Sequence, residues 1–354
     1  MKKILSILLS IVMIFSLSVT VFAAEPQDNL KSIITNGYTF EIKESTAEDY
    51  SVTRSYSKPD TMARSTPAEN ETIALLLSLG LTEEQIYGMS EKAFNACANA
   101  RNLYVTTSYT KRNETTNVTT GLPAELAIEQ AKDLNERQDN YYLNPESTVE
   151  PYGIIDNEST VPGVFEDSYM KITHVASDEG NGDFTFITDS EWLTMPFFRG
   201  YDSIGSCAKG GSADPFSGTG YYYYYTTTIN GGNIGNPVYS GRIAFTKTED
   251  TINGDWYGYA GVFNLPNDLH NDETGYHMLH KNLKAHFEYT GSVTHPELIT
   301  NFNTNGSYSH ATVAIQFSPS VSIDAKGDTS ASIGLSVVGT KDTRIAPLKV
   351  TYYP

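Results

Sequence analysis

The pattern of apolar and polar positions divides the chain into a helical part and a longer β part. Between residues 66 and 142, apolar side chains recur at helical spacing behind capping residues such as Thr82 and Ser90. A further helix is predicted over residues 123–140, and a threonine-rich segment at residues 104–120 predicts a polar hairpin. We therefore expect a small helical unit over residues 66–142.

The remainder of the chain has the period of β-strands. From residue 164 to residue 354, short runs of Val, Ile, Thr, Tyr and Phe are separated by clusters of Gly, Asn and Asp. About ten such runs follow one another without a long helix between them, which is typical of an antiparallel sandwich. The predicted fold is thus mostly β: a C-terminal antiparallel β-sandwich, jelly-roll-like or Greek key, preceded by the helical unit. Residues 143–163, which contain several prolines, predict a linker.

The N-terminal residues have the pattern of an export signal. Two lysines precede an apolar run that ends in small residues at Ala23, which predicts a secretory signal peptide over residues 1–23. A retained membrane anchor is the alternative, because the run is about long enough to span a bilayer. Residues 24–65 are polar and lack a sustained period, so we expect a poorly ordered leader with one short strand at Tyr38–Ile42.

Later in the chain, no apolar run approaches the length of a membrane span. We therefore predict a secreted, extracellular bacterial protein whose mature chain does not span a membrane.

The net charge and the absence of common catalytic motifs disfavour some functional classes. The net charge is −18, and no basic cluster offsets it, which argues against a nucleic-acid partner. The sequence contains no G-x-S-x-G, H-E-x-x-H, phosphate-loop or G-x-G-x-x-G motif. These features favour a protein that is not an enzyme.

The two cysteines, Cys97 and Cys207, are candidates for a disulfide that would join the helical and β parts. Two unpaired thiols are the alternative.

Metal ligands are the next candidates. Six of the seven histidines lie between residues 270 and 310, and His270, His277 and His280 are candidate zinc ligands. The alternatives are a polar loop and strand, or a pH-sensing role. The acidic, glycine-rich segment Ser177–Asp183 could hold calcium or form a hairpin turn. Apart from a weak structural calcium or zinc, no cofactor is expected.

Aromatic residues point to a ligand surface. Five consecutive tyrosines occupy positions 221–225, and strand geometry places Tyr221, Tyr223 and Tyr225 on one face. These three residues, with Trp192 and Trp256, are candidates for stacking on sugars. Ordinary strand packing is the alternative, since tyrosine favours strands.

Residues 313–337 alternate between apolar and small polar side chains and carry almost no charge. Such a segment is typical of sandwich strands packed on a core, and also of hairpins that insert into membranes.

These observations favour a secreted bacterial non-enzymatic binding protein with a glycan or another cell-surface ligand. The alternatives are a membrane-active toxin or bacteriocin-like protein that uses residues 313–337, and an unrecognised extracellular hydrolase.

Overall fold

A computed structural model gives the helices and strands of the chain. It describes residues 29–59, 67–143, 152–155, 159–162, 165–196, 199–245, 253–255, 257–271, 274–298, 300–311, 319–323, 331–335 and 341–354. The helices are α1 (Glu69–Ser78), α2 (Glu83–Gly88), α3 (Glu91–Asn99) and α4 (Ala124–Leu143). The strands are β1 (Asn29–Thr35), β2 (Tyr38–Thr46), β3 (Val52–Ser57), β4 (Asn102–Asn113), β5 (Val118–Leu122), β6 (Tyr152–Ile155), β7 (Ser159–Pro162), β8 (Asp167–Gly180), β9 (Asp183–Thr194), β10 (Tyr201–Lys209), β11 (Gly211–Ala213), β12 (Thr219–Asn230), β13 (Asn233–Ile234), β14 (Val238–Tyr239), β15 (Ile243–Ala244), β16 (Asn253–Asp255), β17 (Gly258–Asn264), β18 (Leu269–Asn271), β19 (Tyr276–Val293), β20 (Thr300–Ala311), β21 (Pro319–Ile323), β22 (Ala331–Leu335) and β23 (Lys341–Tyr352).

Two antiparallel layers of strands pack face to face. The first layer has the order β1–β2–β3–β4–β8–β9–β19–β12. The second layer has the order β17–β10–β20–β23. A core that includes Ile172, Phe186 and Phe287 of the first layer, and Ile204 and Tyr308 of the second, lies between them. The prediction of a mostly β chain with a sandwich-like arrangement of antiparallel sheets is confirmed.

Helices α1–α3 cover the outer face of the first layer. On β8, Ile172 and Ala176 face the sandwich core, whereas Val175 belongs to a second core shared with the helices. Leu76 of α1 and Ile86 of α2 are fully or almost fully buried in that second core. Strand β8 is therefore buried on both faces because it is covered on both sides.

The segment predicted as a poorly ordered leader forms strands instead. β1, β2 and β3 make an antiparallel ladder that joins the sheet where Val52 of β3 lies opposite Thr107 of β4. Phe40 and Ile42 alternate with exposed neighbours and are buried in the helical core. The predicted short strand at Tyr38–Ile42 is confirmed as part of β2. The prediction of poor order was wrong for β1 and β3, because most of their side chains are exposed or only partly buried and no apolar period marks them.

Other predicted elements have counterparts in the structure. The threonine-rich hairpin is formed by β4 and β5, and β4 also pairs with β8. Within the segment at 313–337, β21 pairs with β22, and this hairpin lies against β10 and β20. The rest of that segment and the signal-peptide residues 1–23 lie outside the described residues. Among the helices that the structure describes, none is long and apolar enough to cross a membrane.

The candidate disulfide is not formed. Cys97 and Cys207 are free and buried, Cys97 in the core beneath the helices and Cys207 on β10 of the other layer. The proposed bridge fails because the first sheet separates these two environments. Burial raises the pKa of both thiols to about 12, which leaves them protonated and unreactive.

Leu76→Ala tests the attachment of the helical cover. We expect the free energy of unfolding to fall by about 2–5 kcal/mol, because a fully buried leucine leaves a cavity between α1 and the sheet. Leu126→Ala on α4, where the side chain is 39% exposed, is the matched control and should change it by less than about 0.5 kcal/mol. Equal losses in urea unfolding would contradict this packing.

Candidate functional site

A polar groove crosses the helix-facing side of the first layer between α2 and α4. Two depressions, each with a cavity of about 30 Å³, lie along successive stretches of β9 and β19. We call this surface the tyrosine groove. The depression near α2 is lined chiefly by Glu84, Lys171, Asp189, Glu191, Tyr221, Tyr223, Lys284 and His286. The depression near α4 is lined chiefly by Asn135, Asp139, Tyr142, Leu193, Arg199, Asp268 and Lys281.

The tyrosine run forms one wall of the groove, and its two faces lie in different surroundings. Tyr222 turns to the sandwich core, where its ring stacks on Phe263 with centroids 4.6 Å apart. Tyr221 and Tyr223 turn the other way and line the groove. Since side chains alternate along a strand, this division follows from the strand geometry predicted for the run.

The hydroxyl groups of this wall hold α2 on the sheet. Tyr221 donates a hydrogen bond to the carbonyl of Gly88 at 3.1 Å, and Tyr223 donates to the Glu84 carboxylate at 2.5 Å. Burial raises the pKa of both phenols, so they remain donors at all physiological pH values. These two tyrosines are therefore fixed in place by the helix that they anchor.

The exposed part of the wall lies further along β12. Tyr225 is partly exposed, and its ring lies 5.5 Å from that of Tyr239, which is 46% exposed. Tyr223 completes the group, with its ring centroid 5.4 Å from that of Tyr239. The accessible aromatic surface of the wall includes Tyr225 and Tyr239, of which only Tyr225 was predicted.

A β-bulge keeps two lysines on the floor of the groove. Tyr223 lies opposite Lys284 and Tyr225 opposite Lys281, so β19 has one residue more than β12 between these pairs. Asn282 lies inside this interval. Its φ of 51° is in the left-handed region, which asparagine tolerates. Without the extra residue, strand alternation would turn Lys281 and Lys284 to opposite faces.

Lys284 joins α2 to the floor. Its ammonium group binds the Glu84 carboxylate and lies 3.2 Å from the Glu191 carboxylate. Burial acts to raise the pKa of Glu84, but hydrogen bonds from Lys284 and Tyr223 lower it. The helix itself is positioned by a capping box, in which Gln85 donates its backbone N–H to the Thr82 hydroxyl at 3.3 Å and accepts from Thr82 N–H at 2.9 Å.

His286 forms the most buried ionic contact of the groove. Its Nδ1 lies 2.8 Å from the Asp189 carboxylate, and its Nε2 lies 3.1 Å from the Glu288 carboxylate. Burial alone would lower the pKa of His286, but the two carboxylates raise it to about 9. Glu288 also accepts a hydrogen bond from the backbone N–H of Ser90 at 3.3 Å, which ties the start of α3 to the sheet. The imidazolium is therefore a structural cation at neutral pH.

Some polar groups of the floor have no protein partner. Asp189 Oδ2 and Ser190 Oγ are buried without a hydrogen bond among the described residues. Lys171 is only 8% exposed, and burial lowers the pKa of its ammonium group. Unsatisfied buried groups are rare in folded proteins, so this part of the floor is suited to accepting water or ligand groups.

Trp192 does not contribute to an exposed aromatic platform. Trp192 is 1% exposed, donates from Nε1 to the Tyr308 hydroxyl at 2.9 Å and has the Arg344 guanidinium over its ring at 4.5 Å. Its assignment to a stacking surface was wrong because the residue occupies the inner face of β9. Trp256 lies outside the described residues.

The three candidate metal ligands are not brought together. His270 and His277 lie opposite each other on β18 and β19, with their Nδ1 atoms 3.3 Å apart. His280 instead contacts Asp268 through its backbone N–H at 2.7 Å and its ring at 3.3 Å. The H-x-x-H spacing shares a face only in a helix, and this segment is a strand. Within the described ranges, no group of three His, Cys, Asp or Glu side chains could hold a metal ion.

The candidate calcium loop is the turn between β8 and β9. Asn181 and its two glycine neighbours have positive φ values, as a tight hairpin turn requires. Asp178 accepts hydrogen bonds from Gly180 N–H at 3.0 Å and from the Asn102 side chain at 2.8 Å. The carboxylate therefore stabilises the turn and its neighbouring strand.

Sequence reasoning missed the charged floor of the groove. Glu84, Asp189, Glu191 and Lys284 come from α2, β9 and β19, and no local motif connects them. The one available signal was the set of polar residues inside strands that are otherwise apolar.

Comparisons with known proteins do not assign this chain to a family. No family model matches the sequence, and no curated protein matches it. Solved structures similar to the chain include the collagen-binding subdomain ACE19 of the Enterococcus faecalis surface protein ACE, at 9% identity and a TM-score of 0.21, covering 48% of this chain and 86% of that one. A collagen-binding domain of a Staphylococcus aureus adhesin matches at 10% identity and a TM-score of 0.21, covering 47% of this chain and 87% of that one. At these TM-scores, the similarities carry no argument about ligand or function.

The ionic contact of His286 predicts a pH-dependent stability. The folded-state pKa of about 9 exceeds the ordinary value of 6.5, so the contribution of this group is fully present below pH 6.5 and is lost as the pH rises through 9. In the unmutated protein, we expect the free energy of unfolding to fall by on the order of a few kcal/mol between pH 6.5 and pH 9. The His286→Gln variant should not show this fall. His295→Gln, at an exposed histidine, should retain that fall. Urea unfolding at pH 6.5 and pH 9 measures the difference, and an unchanged fall in His286→Gln would refute the assignment.

Proposed function

We propose that this chain is a secreted bacterial non-enzymatic binding protein that holds a glycan polymer along the tyrosine groove. The observation that carries the proposal is the direction of the tyrosine run, in which Tyr221 and Tyr223 line the groove instead of the core. Tyr225 and Tyr239 leave aromatic surface accessible at the edge of a polar floor.

The chemistry of the groove suits a sugar chain. Tyrosine has an apolar ring that packs on the face of a sugar and a hydroxyl that bonds at its edge. The floor supplies ammonium and carboxylate groups from Lys171, Lys284 and Glu191 as hydrogen-bond donors and acceptors. An aromatic wall beside such a floor can bind both the apolar and the polar surfaces of one sugar ring.

The shape of the groove favours a polymer over a small buried ligand. Each depression has a cavity of about 30 Å³, whereas pockets that enclose small molecules measure roughly 300–1,000 Å³. A ligand would therefore lie across the strands between α2 and α4, with single groups entering the depressions.

The carboxylates of the groove favour binding over hydrolysis. Glu84 and Glu191 share the Lys284 ammonium group, and the lysine contributes to the lowered pKa of Glu84. A general acid of a glycoside hydrolase needs a raised pKa, which is the opposite arrangement.

The proposal predicts that the double variant Tyr225→Ala/Tyr239→Ala loses affinity for its glycan. Each lost ring contact is worth about 0.5–1.5 kcal/mol, so the affinity should fall about tenfold or more. Tyr353→Ala is the matched control, because this side chain is 51% exposed and lies at the C-terminal end of the chain. A glycan array and a cell-wall pull-down with the mature chain identify the ligand, and titration of the variants measures the loss.

Two outcomes would overturn the proposal. The first is the absence of binding to any polymer on the array and in the pull-down. The second is an equal affinity of the double variant and the control, which would place the ligand on another surface.

A further inference from the structure

The depression near α4 contains a buried arginine whose hydrogen bonds are incomplete. The Arg199 side chain is 8% exposed, and its Nη2 donates to Asp268 Oδ2 at 2.8 Å. Nε and Nη1 are buried and have no acceptor among the residues that the structure describes. A guanidinium group can only donate, so two of its three nitrogens lack an acceptor.

Asp268 is hydrogen-bonded to a second residue besides Arg199. It also accepts hydrogen bonds from the backbone N–H and ring of His280, at 2.7 and 3.3 Å. Burial would raise the pKa of Asp268, but His280 and Arg199 lower it, so the group remains an anion. The carboxylate that is hydrogen-bonded to Arg199 is thus shared with a second residue, and Asp202 acts on Arg199 only through its charge.

The other charges around this depression are already balanced. Lys281 pairs with Asp139 of α4, so neither group is a ready partner for Arg199. Burial lowers the pKa of Arg199, which reflects the cost of keeping this cation away from water. An additional anion beside Arg199 would offset that cost.

The space beside Arg199 is suited to one small polar group. Its cavity of about 30 Å³ exceeds the roughly 10–15 Å³ that a water molecule needs. Tyr142, Phe165 and Leu193 supply apolar or aromatic lining, and Asn135 reaches the same space from α4. In such surroundings a charged acceptor forms a stronger hydrogen bond to a guanidinium than a neutral one does.

We propose that Arg199 forms a carboxylate subsite of the tyrosine groove, and that the glycan bound there contains acidic sugar residues of the uronic-acid class. The inference rests on the proposed function for the polymer, but the subsite can be tested with a single sugar acid. Arg199 would donate to the carboxylate from Nε or Nη1, while Asp268 keeps the guanidinium oriented.

The test compares glucuronate, glucose and acetate as probes of the full mature chain in calorimetric titrations. We expect glucuronate to bind at least tenfold more tightly than glucose, because only the acid supplies a charged acceptor. Acetate should bind more weakly than glucuronate, since it lacks the ring that contacts the aromatic lining. Absence of glucuronate binding would overturn the subsite, and equal affinity for acetate would overturn its assignment to an acidic sugar.

Arg199→Lys keeps the charge and removes the Nε and Nη1 donors, and Arg137→Lys is the matched control on the exposed side of α4. We expect glucuronate affinity to fall at least fivefold in the first variant and to stay unchanged in the second. Equal glucuronate affinity in both would overturn the role of Arg199, and thermal unfolding of each variant confirms that it is folded. Loss of polymer binding in the tyrosine double variant tests the groove separately, so the failure of one proposal can be distinguished from the failure of the other.

Discussion

Strands β8, β9 and β19 are covered on both faces, and the polar side chains they carry must find partners inside the protein. The sandwich core takes the apolar residues of one face. On the other face, α1–α3 bury Val175 and Ile187, while neighbouring positions carry charged side chains. The His286 imidazolium between Asp189 and Glu288 satisfies the deepest of these charges and reaches the start of α3 through Ser90. The helical cover is thus attached by apolar packing at one end and, at the other, by the hydrogen bond from Ser90 N–H to a carboxylate of this buried ionic group.

The groove results from the gap that this cover leaves. α2 and α4 approach the same sheet face from two sides, and each is tied to β19 by a lysine, Lys284 to Glu84 and Lys281 to Asp139. The bulge at Asn282 allows both lysines to point to this face. The tyrosine run then closes one side, with its inner rings in the core and its outer rings on the groove. A local irregularity in one strand therefore decides which charges a ligand would meet.

The sequence predicted the features that depend on local pattern. Alternation of apolar residues indicated the sandwich, and the Thr82 capping box indicated the start of α2. The strand at Tyr38–Ile42 was also predicted. β1 and β3 were missed because most of their side chains are exposed or only partly buried, so no apolar period marks them. Trp192 was misplaced, since nothing in its local sequence tells which face of β9 is buried. The charged floor could not be predicted because it depends on the register between strands about a hundred residues apart, as in the pairing of Lys284 with Glu191.

Hydrogen–deuterium exchange of the full mature chain, with and without a uronic-acid oligosaccharide, measures whether this ligand binds across the tyrosine groove. Binding across the groove should slow backbone exchange in α2, in the middle of β19 around Asn282 and in the second half of α4, which lines the groove. Slowed exchange confined to β21–β22 or to the β1–β3 ladder, with the groove segments unchanged, would contradict it.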